Sequence, residues 1–145
     1  MKKFVLVAVM AGSLVSGQAI AACGNGSRLD TVAINTLLGG NTVCVPSVNA
    51  NPMIWQELHV GSSGGALIDY KRGPGHAVDP SETVGNWTVS SNGGGNKATV
   101  THTYLGAGGS YTYSVHSIGG AIYEFCPVPT ATVIVARVKS GGGAC

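Results

Sequence analysis

The chain has 145 residues, which suits a single domain, and its 8 Lys and Arg are nearly matched by 6 Asp and Glu. Only 10% of the residues are charged, so neither nucleic acid nor an anionic membrane surface is an expected partner. The 23 glycines, together with Ser, Thr and Asn, supply polarity instead of charge. This composition is typical of an exported β protein.

Residues 1–22 have the form of a signal peptide. Lys2 and Lys3 precede an apolar run over residues 4–15, and Ala19-Ile20-Ala21 is a small-x-small cleavage site. The apolar run is too short to span a membrane comfortably, so no stable membrane insertion is expected after cleavage. We therefore predict a mature single domain over residues 23–145, exported to the periplasm or beyond, whose basic and acidic residues are equal in number.

A lipid anchor is the alternative for the same segment. Ile20-Ala21-Ala22-Cys23 resembles a lipobox, in which Cys23 would be acylated. Polar residues 16–18 stand where a lipoprotein has apolar ones, and acylation would leave an odd number of cysteines in an oxidising compartment. Soluble export is therefore favoured.

The four cysteines predict two disulfides in the mature domain. Pairs Cys23–Cys44 and Cys126–Cys145 are favoured, because each would close a short terminal loop worth roughly 3 kcal/mol in the chain-entropy model. A pairing of Cys23 with Cys145 and Cys44 with Cys126 stays open. The lack of C-x-x-C spacing argues against zinc or thiol redox chemistry.

Short strands joined by glycine-rich links dominate the chain, after one helix. Ser27 to Asp30 has the form of a capping box, and Leu29, Val32, Ala33, Leu37 and Leu38 recur at helical spacing. The spacing predicts a helix over 30–38. The strands are predicted over residues 42–45, 53–60, 66–71, 87–91, 97–104, 110–116, 121–126 and 130–139.

Eight strands in sequential antiparallel order predict an all-β up-and-down barrel or a curved meander sheet, with one short N-terminal helix. Alternation along the strands places aromatic side chains inward and threonines outward. His102 is then expected inside and His116 outside. If the sheet closes around a cavity, its ligand-contacting side chains would be Tyr70, His102, Tyr104, Tyr111, Tyr113 and Tyr123; the plainer interpretation is that they fill the core.

A long connection over residues 72–86 follows the third strand. A loop of this length in a compact domain is often functional, and charge is concentrated around it. We predict a partner-recognition patch of Asp69, Lys71, Arg72, His76, Asp79 and Glu82. The plainer interpretation is a solubilising rim with weak ion pairs, each worth ~0–1 kcal/mol.

Two stretches of the sequence resemble catalytic or metal-binding patterns. Gly61-Ser62-Ser63-Gly64-Gly65 matches G-x-S-x-G, but it links two strands rather than a strand and a helix, so a hairpin is favoured over a serine hydrolase. Trp55, Glu57 and His59 share a strand face, and His76 precedes Asp79 by three residues. No established metal-ligand spacing is present, so no metal or cofactor is predicted.

The motif Leu37-Leu38-Gly39-Gly40-Asn41-Thr42-Val43-Cys44 is followed by Trp55-Gln56-Glu57, Asp69-Tyr70-Lys71, Asp79-Pro80 and Val84-Gly85-Asn86-Trp87-Thr88-Val89. In these motifs the chain resembles small exported proteobacterial proteins with an L-L-x-G-x-T helix end and a G-x-W-x-V strand start. The resemblance covers most of the mature chain. It implies a lipocalin-like or avidin-like meander and an exported location, and it carries over no catalytic residues.

Taken together, the sequence predicts a non-enzymatic exported domain that binds a small ligand or a protein partner. The alternative is a structural subunit of an extracellular or cell-surface assembly, since low charge and threonine-rich faces permit edge-to-edge packing and self-association. A third possibility, an enzyme, would require a pocket that joins Glu57, His59 and His76.

Overall fold

The computed structural model describes residues 23–24, 28–48, 54–70, 81–91 and 97–145. Over these residues, eight antiparallel strands pair in sequence order, and β1 pairs with β8 to close a barrel. The predicted all-β meander with a short helix is confirmed. The elements are α1 Thr31–Leu38, β1 Thr42–Val45, β2 Trp55–His59, β3 Gly64–Tyr70, β4 Ser81–Ser91, β5 Ala98–Tyr104, β6 Gly109–Gly119, β7 Ile122–Pro127 and β8 Ile134–Lys139, with a 3₁₀ turn at Gly106–Gly108.

Helix α1 closes one end of the barrel, which we call the helix end. Asp30, rather than Ser27, is its N-cap, since the Asp30 side chain accepts a hydrogen bond from the Ala33 amide at 2.8 Å. Ile34 and Leu38 are fully buried, and the helix contacts β4 and β5. The helix therefore acts as an apolar plug at this end.

The opposite end of the barrel, which we call the open end, is where β1, β3, β5 and β7 finish and where their partner strands begin. The core is concentrated towards the helix end, around Trp87, Leu67, Val100 and Phe125. The Trp87 indole donates a hydrogen bond of 2.8 Å to the Val60 carbonyl, so this buried ring is fully partnered. The interior is thus filled near the helix and less so at the open end.

The predicted faces of β2 and β5 are confirmed. Glu57 and His59 are buried on one side of β2, and Ala98, Val100 and His102 are buried on one side of β5. Cross-strand pairing of Trp87 with His102 and of Val89 with Val100 places these residues on the inner face. Alternation was a sufficient guide here because the outer face of β5 is rich in threonine.

The predicted face of β3 is wrong. Asp69 pairs with the interior residue Glu57, whereas Tyr70 lies on the outer surface and its hydroxyl accepts a hydrogen bond of 3.0 Å from the Gly143 amide. Residues 140–145 fold back across this outer surface. Both faces of β3 are therefore covered, and apolar side chains occur on each of them.

His116 points outward as predicted, but it is only 2% exposed rather than solvent-facing. Its Nδ1 lies 2.8 Å from the Gly24 carbonyl oxygen and its Nε2 lies 3.0 Å from the Ser114 hydroxyl. Arg28 forms a β-bridge with His116. The described residues that precede the helix therefore cover the outside of β6.

Both predicted disulfides are wrong, and so is the alternative pairing. The bonds join Cys23 to Cys126 and Cys44 to Cys145. Cys23 lies beside β7, and Gly24, Arg28 and Leu29 contact the outer side of β6. Residues 140–145 return to β1, where the Thr42 hydroxyl donates to the Gly143 carbonyl at 2.9 Å and the Cys145 amide donates to the Gln56 side chain.

Strand β4 begins at Ser81, six residues earlier than predicted, so the connection after β3 is shorter than the expected 72–86. Residues 71–80 and the predicted signal peptide, residues 1–22, lie outside the described residues. In the described part of the chain, no helix is long and apolar enough to cross a membrane.

Candidate functional site

A cavity of about 310 Å³ occupies the open end of the barrel, and we call it the mouth cavity. Strands β2, β3, β5, β6 and β8 each contribute inward side chains to it. Its volume is at the lower end of the range for small-molecule sites. The lining residues are Trp55, Glu57, Asp69, Tyr104, Tyr111, Tyr113 and Ile134.

Glu57 is the most buried polar residue of this lining, at 5% exposure. The Tyr104 hydroxyl lies 2.8 Å from one oxygen of the Glu57 carboxyl group and 3.0 Å from the other. Asp69 pairs with Glu57 directly across β2 and β3. Two carboxyl groups therefore face the same cavity, and a tyrosine hydroxyl holds one of them.

Burial raises the pKa of Glu57 from 4.5 to about 7. The hydrogen bond from Tyr104 lowers this pKa, and the nearby Asp69 carboxyl group raises it by a smaller amount. Burial also raises the pKa of Tyr104, so its hydroxyl stays protonated and acts as a donor. Glu57 can consequently gain or lose a proton near neutral pH.

A pair of histidines lies behind Glu57. The Nδ1 atom of His102 is 3.9 Å from the Glu57 carboxyl group, and its Nε2 atom is 3.1 Å from Nε2 of His59. Nδ1 of His59 lies 3.2 Å from the backbone carbonyl oxygen of Glu57. The polar groups thus form a continuous series from Tyr104 at the mouth to His59 in the core.

Both histidines are neutral in the folded protein. Burial lowers the pKa of His59 well below 6.5, and the neighbouring His102 adds to this effect. Burial alone lowers the pKa of His102 to about 4. The contact between His102 and Glu57 is therefore not an ion pair at neutral pH, although its length falls within salt-bridge range.

A second cavity, the rim groove, adjoins the mouth cavity at the open end. Its volume is about 510 Å³, and Tyr111, Tyr113 and Ile134 line both spaces. Its other lining residues are Ser110, Thr112, Pro127, Val128, Pro129, Ala131 and Thr132. None of the described lining residues carries a charged side chain, so the groove suits an apolar group.

Exposed apolar side chains surround the same end of the barrel. They are carried by the connections β1–β2, β5–β6 and β7–β8 and by the start of β6. At least 50% of each of these side chains is exposed: Val48, Ile54, Leu105, Tyr111 and Val128. Isolated exposed apolar residues are ordinary, but their concentration around a cavity favours a binding surface.

Four of the predicted ligand-contacting residues come together at this site. Tyr104, Tyr111 and Tyr113 line the mouth cavity, and the ring of His102 lies 5.7 Å from that of Tyr113. Tyr123 faces inward but lies near the helix end, where it lines a different cavity with Leu29 and Val138.

The sixth residue, Tyr70, is on the outer surface. The sequence placed Trp55 and Glu57 on one strand face but did not identify them as ligand residues, and it assigned Asp69 to the partner-recognition patch instead of the cavity. The hairpin after Val60 fixes the pairing of β2 with β3, and this pairing was the available signal.

The predicted recognition patch is not brought together by the described residues. Asp69 belongs to the mouth cavity, and Glu82 is exposed at the start of β4. Lys71, Arg72, His76 and Asp79 lie outside the described residues. Tyr70 and Ser81, which flank residues 71–80, are both at the open end.

The serine motif is a hairpin, as expected. Residues 60–63 join β2 to β3, which begins at Gly64; the Val60 amide donates to the Ala66 carbonyl, and Ser62 and Ser63 are exposed. A side chain on Gly65 would collide with the Val60 carbonyl oxygen, so glycine is required at that position. The motif therefore has a structural explanation.

Among the described residues, one group has potential metal ligands close together: Cys23, Glu124 and Cys126. Its two sulfur atoms are joined in a disulfide and offer no thiolate. Two other cavities lie near the helix end, and their described lining residues include neither a carboxylate nor a basic side chain. The mouth cavity, which is lined by two carboxyl groups and three tyrosines, is consequently the candidate functional site.

Comparisons with protein-family models, with curated proteins and with solved structures give no match to this chain.

Proposed function

We propose that this protein is an exported, non-enzymatic binding domain that holds a small ligand in the mouth cavity. The observation that carries the proposal is a buried carboxyl group, Glu57, at a cavity walled by aromatic rings. A mostly apolar pocket with a few convergent polar groups is the general form of a ligand site. Glu57 and Tyr104 would supply the polar contacts that orient the ligand.

The two cavities at the open end give the ligand room. A molecule too large for the mouth cavity can extend along the rim groove, which shares Tyr111, Tyr113 and Ile134 with it. Export is supported by the signal-peptide pattern of residues 1–22 and by two disulfides, which persist in oxidising compartments. No catalytic role is needed to explain the residues of the site.

The alternative function, a structural subunit, has less support. Edge-to-edge assembly needs a strand with an unpaired side. Each of the eight described strands has a neighbour on both sides, since the barrel is closed. The exposed apolar residues at the open end leave a protein partner as the second candidate, with the same surface as its binding site.

The test is a screen of small metabolites and lipids by melting temperature and by tryptophan fluorescence. Trp55 lines the cavity, so its fluorescence should change when a ligand binds there. The affinity of any compound that shifts either signal is then compared between the wild type and Ile134→Trp, a substitution that fills the space shared by the two cavities. We expect this variant to lose binding at least tenfold. The control is Ile118→Trp, the same change at a side chain that is 51% exposed near the helix end.

If no compound class shifts either signal, small-ligand binding is wrong. Equal affinity of the wild type and Ile134→Trp would place the binding site elsewhere on the protein.

A further inference from the structure

We propose that the ligand is an organic cation, a protonated amine or a quaternary ammonium compound that carries an apolar group. The cation would lie in the mouth cavity beside Glu57, and the apolar group would extend into the rim groove. This inference rests on the proposed function, and it adds the charge and shape of the ligand.

The charge of the mouth cavity selects a cation. Among the described residues of its lining, Glu57 and Asp69 are the ionisable ones other than the tyrosines, and none is Lys, Arg or His. An anion would meet the carboxyl group of Glu57 and that of Asp69, and no basic side chain among the described lining residues. A cation would instead be attracted by both, in a partly enclosed space where Coulomb interactions are stronger than in water.

The walls of the cavity favour the same ligand. Trp55, Tyr104, Tyr111 and Tyr113 all line it, and the rings of Tyr104 and Tyr111 are in an edge-to-face arrangement with centroids 5.9 Å apart. Aromatic faces attract ammonium groups, by about 0.5–2 kcal/mol per ring depending on solvation. Aromatic walls together with a carboxylate can thus bind a cation.

Glu57 retains acceptor capacity for a ligand. An ionised carboxylate has about four acceptor positions. Within the described residues, the hydrogen bonds of the Glu57 carboxyl group come from a single donor, the Tyr104 hydroxyl. Because Glu57 lines the cavity, the remaining positions can accept an N–H group of a ligand or face a quaternary ammonium.

The rim groove is the reason for proposing that the ligand also carries an apolar group. Its lining combines Pro127, Val128, Pro129 and Ala131 with the rings of Tyr111 and Tyr113, and no charged side chain occurs among the lining residues that the structure describes. A ligand that was only a small cation would leave this space empty. An amphipathic cation fills both spaces and matches the polarity of each.

Because Glu57 titrates near neutral pH, the affinity for a cation should depend on pH. Because the pKa of Glu57 is about 7, part of the population is protonated at neutral pH, and a bound cation would favour the ionised form. Affinity should rise with pH up to about 7 and then level off. The other titratable groups that face Glu57 are Asp69, His102, Tyr104, Tyr111 and Tyr113.

The experiment compares three probes on the disulfide-bonded protein by titration calorimetry: (4-phenylbutyl)trimethylammonium, its neutral isostere with carbon in place of nitrogen, and 5-phenylpentanoate. We expect the cation to bind at least tenfold more tightly than the neutral isostere, and the anion most weakly. Glu57→Gln should reduce cation affinity about tenfold and leave the neutral isostere unchanged.

The control is Asp30→Asn, which removes one negative charge at the helix end and keeps an N-cap. It should leave all three affinities unchanged. If Glu57→Gln is poorly folded, Asp69→Asn provides a second removal of negative charge from the cavity, with the same expected selectivity.

The outcomes separate the two proposals. Equal or tighter binding of the neutral or anionic probe, lost in Ile134→Trp, would overturn the cation and leave small-ligand binding intact. Absence of binding by all three probes at millimolar concentration would overturn the cation, and a metabolite screen that also fails would overturn the proposed function. Equal loss of cation affinity in Glu57→Gln and Asp30→Asn would refute the role of the cavity carboxylates.

Discussion

The Nε2 atoms of His59 and His102 lie 3.1 Å apart in the interior of the barrel, and this contact fixes the proton positions around them. Nδ1 of His59 faces a backbone carbonyl oxygen, which can only accept, so that nitrogen carries the proton. Nε2 of neutral His59 is then an acceptor, and Nε2–H of His102 donates to it. The remaining nitrogen of His102, Nδ1, is left as a bare lone pair that faces Glu57.

This arrangement bears directly on Glu57. A lone pair at 3.9 Å favours a protonated carboxyl group over a carboxylate, in the same direction as burial. These tautomers follow from the hydrogen-bond partners. Around neutral pH the two histidines are thus neutral and Glu57 is partly protonated, and the stability of the protein should depend on pH in two opposite ways.

Glu57→Gln should stabilise the protein at alkaline pH. Between pH 4.5 and about 7, the folded protein retains on Glu57 a proton that the unfolded chain has released, so stability falls as pH rises through this window. Above it, the raised pKa costs about 3 kcal/mol, which glutamine avoids while it still accepts from Tyr104. Urea unfolding at pH 8 should therefore show a more stable variant, and the difference should vanish near pH 4.5. A constant difference across this range would contradict the raised pKa.

His102→Gln should weaken the acid sensitivity of the protein. The folded protein holds His102 neutral down to about pH 4, while the unfolded chain takes up a proton below pH 6.5, so stability falls as pH drops through this window. The loss amounts to about 3 kcal/mol for His102. Melting temperatures of the variant from pH 7 to pH 4 should decline less steeply than those of the wild type. His116→Gln serves as a comparison, because that histidine is buried outside the barrel.

Tyr104→Phe and Asp69→Asn should move the pKa of Glu57 in opposite directions. The Tyr104 hydroxyl stabilises the carboxylate, so its removal raises the pKa further; Asp69 disfavours the carboxylate, so its neutralisation lowers the pKa. Carbon-13 NMR of the labelled Glu57 carboxyl group measures both shifts. Movement in the same direction by both variants would show that the two residues do not act on Glu57 separately.

Peptide mapping without reduction should recover the pairs Cys23–Cys126 and Cys44–Cys145. Each bond spans about 100 residues, with sequence separations of 103 and 101, so each should stabilise the folded state by roughly 4–5 kcal/mol in the chain-entropy model. Replacement of either pair by alanine should lower the free energy of unfolding by similar amounts. A fragment that contains Cys23 linked to Cys44 would disprove this connectivity.

The fold was largely predictable because local signals and topology agree. The glycine-rich links predicted a meander of eight strands, and β1 over Thr42–Val45 has the predicted bounds. The face of β5 was predictable because threonine alternates there with apolar and aromatic residues. The sequence did not distinguish a closed barrel from a curved sheet, since the pairing of β1 with β8 is a long-range contact that local periodicity does not report.

The site was predictable only in part, for physical reasons at particular residues. His102, Tyr104, Tyr111 and Tyr113 follow simple alternation on β5 and β6. The faces predicted for Tyr70 and Asp69 were the wrong way round. Residues 140–145 cover the outside of β3, so hydrophobicity does not distinguish the inner face of this strand from its outer face. Sequence also cannot show that His59 approaches His102 from a strand that is not its neighbour.

The two disulfides each join an early part of the chain to a late part, and this sets an order on oxidation. During synthesis, Cys23 and Cys44 are both present long before Cys126 and Cys145 exist, so they form the first pair available for oxidation. Any bond between them must be exchanged before the native pairs can form, by attack of a late thiolate on the early disulfide. A chain that is oxidised before Cys126 and Cys145 are accessible would therefore need thiol–disulfide exchange to reach the native pairs, whereas a chain oxidised after it has folded would not.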